Sequence, residues 1–375
     1  MAAVTFYLDI STLFQSRYTG ISSVNYQLVK WFREHKRDES IFFHMSKVID
    51  PRVIDELIKR KSGEGLAAQY EADLISVEEL PRSLARSGYT TRVGLFANTK
   101  TVHGVFDFEA QIIYDLTFLL TPEFHHQDTI DHHGRSIESD VGSSDLLVCI
   151  SQHTLDDVAM YLRMPRDRMM VAYLGGDDVA CVAPPGAVEP YVLILGTVEP
   201  RKNIGLILDV LKRKPDLLDT WRFVFIGNDG WGTSFDALIA AAGLDRFNGD
   251  RILRLGFVSD AARNALLQNA KLLLYPSFYE GFGLPVLEAL QVGCPIVAAF
   301  SSSIVEVGGD VVRYIDPYST DDLEAALEEA RDGHAAWFSS SERLRARADA
   351  FSWHKFCSSV HDRIVGDVGR LWNAG

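Results

Sequence analysis

Short apolar runs of buried-strand type recur along this chain, and a stretch with helical spacing follows each. Val4-Thr5-Phe6-Tyr7-Leu8-Asp9-Ile10 is the first, with Val24, Leu28, Val29 and Phe32 at helical spacing behind it. Ile41-Phe42-Phe43, Gln111-Ile112-Ile113-Tyr114 and Leu146-Leu147-Val148-Cys149-Ile150 continue the series. A second series opens at Tyr191-Val192-Leu193-Ile194-Leu195-Gly196 and runs through 222–227, 252–258, 271–275 and 295–299. Such alternation predicts parallel sheets with helices on both faces. A chain of 375 residues exceeds what one core usually supports, so two domains are expected. The Ala183-Pro184-Pro185-Gly186 stretch marks the junction. The predicted organisation is a first domain over 1–180, a linker over 181–190, a second domain over 191–350, and a helical segment over 351–375 that packs back on the first domain.

Open sheets of this kind bind ligands beyond the carboxyl ends of their strands. Tyr279-Glu280-Gly281-Phe282-Gly283-Leu284-Pro285-Val286-Leu287-Glu288-Ala289-Leu290 sits at such a place, directly after the apolar run 271–275. Two glycines let the backbone approach a ligand, Pro285 suits a first helical turn, and a helix start there offers N–H groups and a positive dipole end to an anion. Glu280 lies at the loop mouth and Glu288 about one turn into the helix. Thr197-Val198-Glu199-Pro200-Arg201-Lys202-Asn203 leaves the run 191–196 in the same way, bringing Arg201 and Lys202 as cations suited to a diphosphate.

In the first half, Arg17-Tyr18-Thr19-Gly20-Ile21-Ser22-Ser23 is a glycine-containing loop before a helix, with Ser22 or Ser23 as the expected cap and no dinucleotide fingerprint. A loop after Tyr114-Asp115 carries Pro122-Glu123-Phe124-His125-His126, and Ser151 is a helix cap. His125, His126, His132 and His133 show no second set of supporting residues, so no metal site is expected. Cys149, Cys181, Cys294 and Cys357 are widely spaced in apolar contexts and are expected as buried thiols. A net charge of −14 argues against nucleic acid as a partner. The negative charge falls on the later residues, and the clusters 30–37 and 57–61 mix cations with large apolar side chains that can rest on an anionic membrane. No apolar run reaches the length of a membrane span and no signal-peptide pattern is seen, so a cytoplasmic protein is expected, with the two basic clusters read first as solvated helix ends and second as a peripheral contact with the inner face of the membrane.

These residues together resemble the family-four retaining glycosyltransferases of GT-B architecture. The second half carries the resemblance through Gly196 to Asn203 (GTVEPRKN), Asn228-Asp229-Gly230-Trp231, Leu255-Gly256-Phe257-Val258, Tyr279 to Leu290 (YEGFGLPVLEAL), Gly293-Cys294-Pro295-Ile296-Val297 and Asp316-Pro317. Thr19-Gly20-Ile21-Ser22, Tyr114-Asp115-Leu116 and Pro122-Glu123-Phe124 extend it to the first half. The resemblance implies an α/β fold of two Rossmann-like doubly wound domains facing a cleft, with the acceptor on the first and a nucleotide-sugar donor on the second.

It also implies roles. Glu280 would hydrogen-bond the donor sugar and Glu288 the ribose. Gly281, Phe282, Gly283 and Leu284 would hold sugar and diphosphate through backbone amides, with Lys202 and Arg201 neutralising the leaving group. Val258 would meet the base, Thr197 would line the donor site, and Gly20 and Ile21 would face the diphosphate. Tyr114 stands where many relatives have His beside Asp115; its hydroxyl could donate a similar hydrogen bond to the sugar, but its size and reach differ. Ser22 replaces a common glycine, and Thr197 a common arginine that Arg201 is placed to replace. The expected reaction is retaining, metal-independent hexose transfer from a nucleotide-diphosphate sugar, GDP-mannose first, to a glycan or lipid-linked acceptor in cell-surface polysaccharide or lipopolysaccharide biosynthesis. No cofactor is implied. An epimerase or hydrolase acting on nucleotide sugars, and a catalytically silent nucleotide-binding subunit, remain as alternatives on the same fold.

Overall fold

A computed structural model describes residues 3–14, 18, 20–64, 90–177, 189–333 and 339–374. The chain divides into two compact units. One comprises Met1–Leu116, Asp128–Gly175 and Ser352–Gly375, the other Thr117–Gln127 and Gly176–Phe351. Most of the expected linker 181–190, with Cys181, Arg17 and Thr19, lies outside the described residues.

Seven strands form the sheet of the first unit: β1 (Ala3–Asp9), β2 (Ser40–His44), β3 (Lys47–Val48), β4 (Thr90–Phe96), β5 (Phe108–Ile113), β6 (Leu146–Cys149) and β7 (Met169–Val171). Their order is β3-β2-β1-β4-β5-β6-β7. All pairings are parallel except β2 with β3. Helix Ile21–His35 buries Val24, Leu28, Val29 and Phe32, the positions spaced for it in the sequence. It begins one or two residues earlier than expected. Gly20, at φ 51°, is its N-terminal flanking residue, and Ser22 is buried within the first turn rather than capping it. Ser151 does cap the helix Gln152–Tyr161, accepting from the Thr154 amide at 3.0 Å.

The terminal helix Trp353–Ala374 belongs to this unit. Trp31 Nε1 donates to His354 Nδ1 at 3.1 Å, and the His361 ring stacks on Phe6 with centroids 5.2 Å apart.

Six parallel strands build the second unit: β8 (Tyr191–Leu195), β9 (Arg222–Ile226), β10 (Ile252–Arg254), β11 (Leu272–Tyr275), β12 (Ile296–Ala299) and β13 (Arg313–Ile315), in the order β10-β9-β8-β11-β12-β13. This is the doubly wound order in which the connections change direction between the first and fourth strands, here β8 and β11. β8, β11 and β12 read as unbroken apolar runs, and β9 does so after Arg222, because helices cover both faces. Leu193, Phe223, Leu272, Leu273 and Val297 have no exposed surface, and Ile207, Leu211 and Leu323 pack from the helices.

Thr117–Gln127 was expected with the first domain, yet it groups with the second unit. Within that unit Phe124 lies parallel to Phe278, centroids 5.1 Å apart and planes 3° apart. Cys149, Cys294 and Cys357 are free and buried, and burial pushes each thiol up, Cys149 and Cys294 to about 12. No helix among the described residues is long and apolar enough to cross a membrane.

Candidate active site

The loops leaving β8 and β11 flank the point where the sheet changes direction, and the residues singled out there in the sequence meet. After β8 the chain turns at Gly196, whose φ of 137° excludes most side chains. A Cβ there would also come within 3.1 Å of Lys202 Cε. Glycine therefore lets the Lys202 stem fold back over the strand end. A short 3-10 turn, Pro200–Lys202, then places two cations side by side.

Lys202 Nζ donates to Glu280 Oε1 at 2.6 Å and to the Tyr275 hydroxyl at 3.1 Å, and lies 5.1 Å from the Tyr275 ring centre. Arg201 Nη1 donates to Glu280 Oε2 at 2.7 Å and to the Tyr279 carbonyl at 2.8 Å, while its Nη2 reaches Glu199 Oε1 at 2.7 Å. Both oxygens of Glu280 thus carry a cation. Burial alone would push this carboxyl up, but Lys202 and then Arg201 outweigh it and hold its pKa at about 2. Burial would likewise lower Arg201, and Glu280 and Glu199 raise it instead. Desolvation raises the Tyr275 phenol well above its usual value, so it stays neutral.

The Glu280 loop is fastened from three sides. The Glu280 amide donates to Ser302 Oγ at 2.9 Å, Ser303 Oγ donates to the Glu280 carbonyl at 2.7 Å, and Ser301 Oγ donates to the Phe278 carbonyl. Asn203, left-handed at φ 56°, donates from Nδ2 to the carbonyls of Pro276 at 3.1 Å and Pro317 at 2.8 Å. Gly281 and Phe282 are buried, with Phe282 edge-on to Phe351. Gly283, at φ 103°, opens the helix Leu284–Val292, with Pro285 in its first turn. The positive end of that helix therefore lies at the end of the glycine loop.

Glu288 sits on this helix and accepts an ion pair from Arg263 Nη2 at 3.1 Å. Its pKa is raised to about 7, because burial outweighs Arg263 and because Asp177 and Asp260 add negative charge nearby. Val258 is half-buried in the loop after β10, beside Ser259, which caps the helix Asp260–Asn269 that carries Arg263. Thr197 is exposed, and the loop it lies on is held to the Asn228–Gly230 turn by the Val198 amide donating to Asn228 O at 2.9 Å.

The sheet order, the cation pair on Glu280 and the glycine-led helix are the parts of a diphosphate site in a doubly wound fold. Residues 185–349 match the model of the family described as Glycosyl transferases group 1. Residues 185–349 are a group 1 glycosyltransferase domain.

The chain is 26% identical over 357 residues to O-antigen chain mannosyltransferase B of Escherichia coli, covering 89% of this chain and 93% of that one. It is 24% identical over 235 residues to the serotype-specific mannosyltransferase WbdA of Escherichia coli, covering 60% of this chain and spanning only 28% of that longer protein. Among solved structures it resembles Anabaena HepE in complex with UDP, with a TM-score of 0.68 at 16% identity over 97% of this chain and 100% of the other. The fold is GT-B, with a Rossmann-like sheet in each unit.

In the second unit, Glu280, Lys202, Arg201 and Gly281 to Leu284 come together, with Glu288 farther along the helix. Gly20, Ile21, Tyr114 and Asp115 belong to the first unit. Gly20 is exposed and a Cβ there would meet nothing within 4 Å, so its positive φ rather than crowding selects glycine. Asp115 is half-buried. Tyr114 corrects an expectation: its hydroxyl donates inward to the Ala97 carbonyl at 2.8 Å, so its proton is not offered to a sugar. The tyrosine ring is too long to stop at the end of β5, and its tip reaches the carbonyl just past β4.

Six residues that shape the site carry little signal in the sequence. Tyr275 was read only as the end of an apolar run, and Asn203 only as a loop residue. Ser301-Ser302-Ser303 had a usable signal, three hydroxyls directly after a buried strand. Arg263 had none, being one cation on an ordinary amphipathic helix. Among the described residues no group of three or more His, Cys, Asp or Glu is arranged to hold a metal.

Proposed function

We propose that this glycosyltransferase moves a hexose, mannose or a close relative, from a nucleoside-diphosphate sugar to a glycan or lipid-linked acceptor in cell-surface polysaccharide biosynthesis, with retention of configuration. The observation that carries this is the Arg201–Glu280–Lys202 cluster at the sheet's change of direction, beside the start of the helix Leu284–Val292. Mannose follows from the names of the relatives, two of which are mannosyltransferases, and GDP is taken as the nucleotide from the GTVEPRKN type of the Gly196–Asn203 loop.

Breaking the bond from the anomeric carbon to the diphosphate oxygen sends its electron pair to the leaving group, whose charge grows at the transition state. Lys202, Arg201 and the helix start are preorganised for that charge, the task a metal performs in other transferases. Catalysis without added metal is therefore expected. With a pKa of about 2, Glu280 is ionised at any physiological pH and does not serve as an acid. Two cations on its oxygens also blunt it as a nucleophile. What remains is to accept hydrogen bonds from sugar hydroxyls and orient the ring. The acceptor hydroxyl then adds from the face the diphosphate leaves, and its proton passes to a phosphate oxygen.

Glu288 accepts from the ribose hydroxyls and the Val258 backbone meets the base. Purified protein incubated with GDP-mannose and a mannose-terminated oligosaccharide should release GDP in step with product, in EDTA as well as without it. Release of GDP at one rate with and without acceptor would instead favour a hydrolase.

A further inference from the structure

The loops leaving β11, β12 and β13 carry aromatic side chains that the transfer chemistry does not use. Phe278, two residues before Glu280, has two ring neighbours: Phe124, parallel to it at 5.1 Å, and Tyr318 at 4.9 Å, tilted by 34°. Tyr318 is nevertheless 78% exposed, and Phe300, the first residue past β12, is 66% exposed. Scattered exposed aromatics need no explanation, but these are fixed to the reaction centre. Ser301, Ser302 and Ser303 tie the Phe300 loop to Phe278 and Glu280, and Asn203 bonds the carbonyls of Pro276 and Pro317, the latter next to Tyr318.

Strand order gives the row a direction. Val258 follows β10 at one edge of the sheet, Lys202 and Glu280 follow β8 and β11 in the middle, and Phe300 and Tyr318 follow β12 and β13 at the other edge. On the functional reading above, on which this inference rests, the nucleotide extends from Glu280 towards Glu288 and Val258. The aromatic row then lies beyond the sugar end of the donor.

We infer that Tyr318, backed by Phe278 and with Phe300 on the adjoining loop, is a stacking platform for a pyranose ring of the glycan acceptor. The C–H face of a hexose is apolar and weakly positive, and complements the negative face of an aromatic ring. Stacking also tolerates any of several similar sugar units, which suits an acceptor made of repeats.

The test uses the full chain saturated with GDP, mannotriose as probe, and the variants Tyr318→Ala and Tyr318→Phe. Mannotriose binding is followed by NMR titration, and GDP affinity and GDP release from GDP-mannose are measured separately. Tyr318→Ala should weaken mannotriose binding, and raise its KM in transfer, by about five- to tenfold, with kcat and GDP affinity held and Tyr318→Phe close to the parent. Equal binding by parent and Tyr318→Ala overturns the inference, as does a parent that does not bind mannotriose. Loss of GDP affinity in Tyr318→Ala also overturns it and makes the ring a nucleotide contact. Mannotriose bound through Tyr318 but never mannosylated leaves the platform standing and removes the transferase reading instead.

Discussion

Glu280 holds two cations on one carboxylate, and the consequences separate by substitution. Glu280→Gln keeps the shape but removes the charge, and is expected to lower transfer by on the order of a hundredfold or more, read as kcat/KM on a working donor and acceptor. Glu280→Ala should in addition cost about 3–5 kcal/mol of stability in denaturant unfolding, because the largely buried Lys202 loses its carboxylate and keeps only the Tyr275 hydroxyl, while Arg201 keeps Glu199 alone of its two carboxylates. The carboxyl titrates at about 2 in the fold, below its unfolded value of about 4.3, so its stabilisation is complete above that unfolded value and is lost as pH falls through 2. Glu288 behaves oppositely. Its pKa of about 7 lies above the unfolded value, so the fold binds the extra proton between roughly pH 4.3 and 7 and this group's contribution to stability falls as pH rises through that window. Nucleotide affinity should rise through the same window as Glu288 ionises and accepts ribose hydroxyls more strongly. Arg263→Gln removes the cation at 3.1 Å and should move the midpoint to higher pH, which GDP titrations at several pH values would reveal. An unmoved midpoint would mean that Glu288 is not the group seen.

Among elements, the loops at the carboxyl ends of β8, β11, β12 and β13 behave as one assembly, and Asn203 is its knot. Asn203→Ala strands the carbonyls of Pro276 and Pro317 and places alanine at φ 56°, for an expected loss of about 1–3 kcal/mol in chemical unfolding with donor KM raised more than that of the acceptor. The strands that frame this assembly were mostly legible in the sequence, because β8, β9, β11 and β12 are buried on both faces and read as unbroken apolar runs. β4 was not: Arg92 and Gly94 interrupt Thr90–Phe96, yet it is the central partner of β1 and β5. β3, β7 and β13, at two or three residues, are too short to show a period. Glu280, Lys202 and the glycine loop could be found because they directly follow apolar strand runs, where an open sheet binds its ligands. Tyr275, Asn203 and Arg263 act through contacts between residues far apart in the chain, and a linear pattern holds no trace of them. Tyr114 shows the converse, a position whose residue type suggested one hydrogen bond while packing gave it another.

For the whole molecule, each unit supplies a doubly wound sheet, and the described helix Trp353–Ala374 returns the end of the chain to the first. Such a chain should be stabilised by the leaving group alone, since a nucleoside diphosphate binds the folded protein and not the unfolded one. GDP is expected to raise the melting temperature more than UDP or dTDP at equal concentration, and a larger shift with UDP would redirect the donor assignment while leaving the site intact. The central claim, that the Arg201–Glu280–Lys202 cluster serves sugar transfer with retention, meets its most direct test in one assay. GDP-mannose and a mannose-terminated oligosaccharide are incubated with the protein in EDTA, and the product linkage is determined by NMR. An α-linked product formed with matching GDP release, and formed on the order of a hundredfold or more slower with Glu280→Gln, is the expected result; a β-linked product, or transfer undiminished in Glu280→Gln, would contradict it.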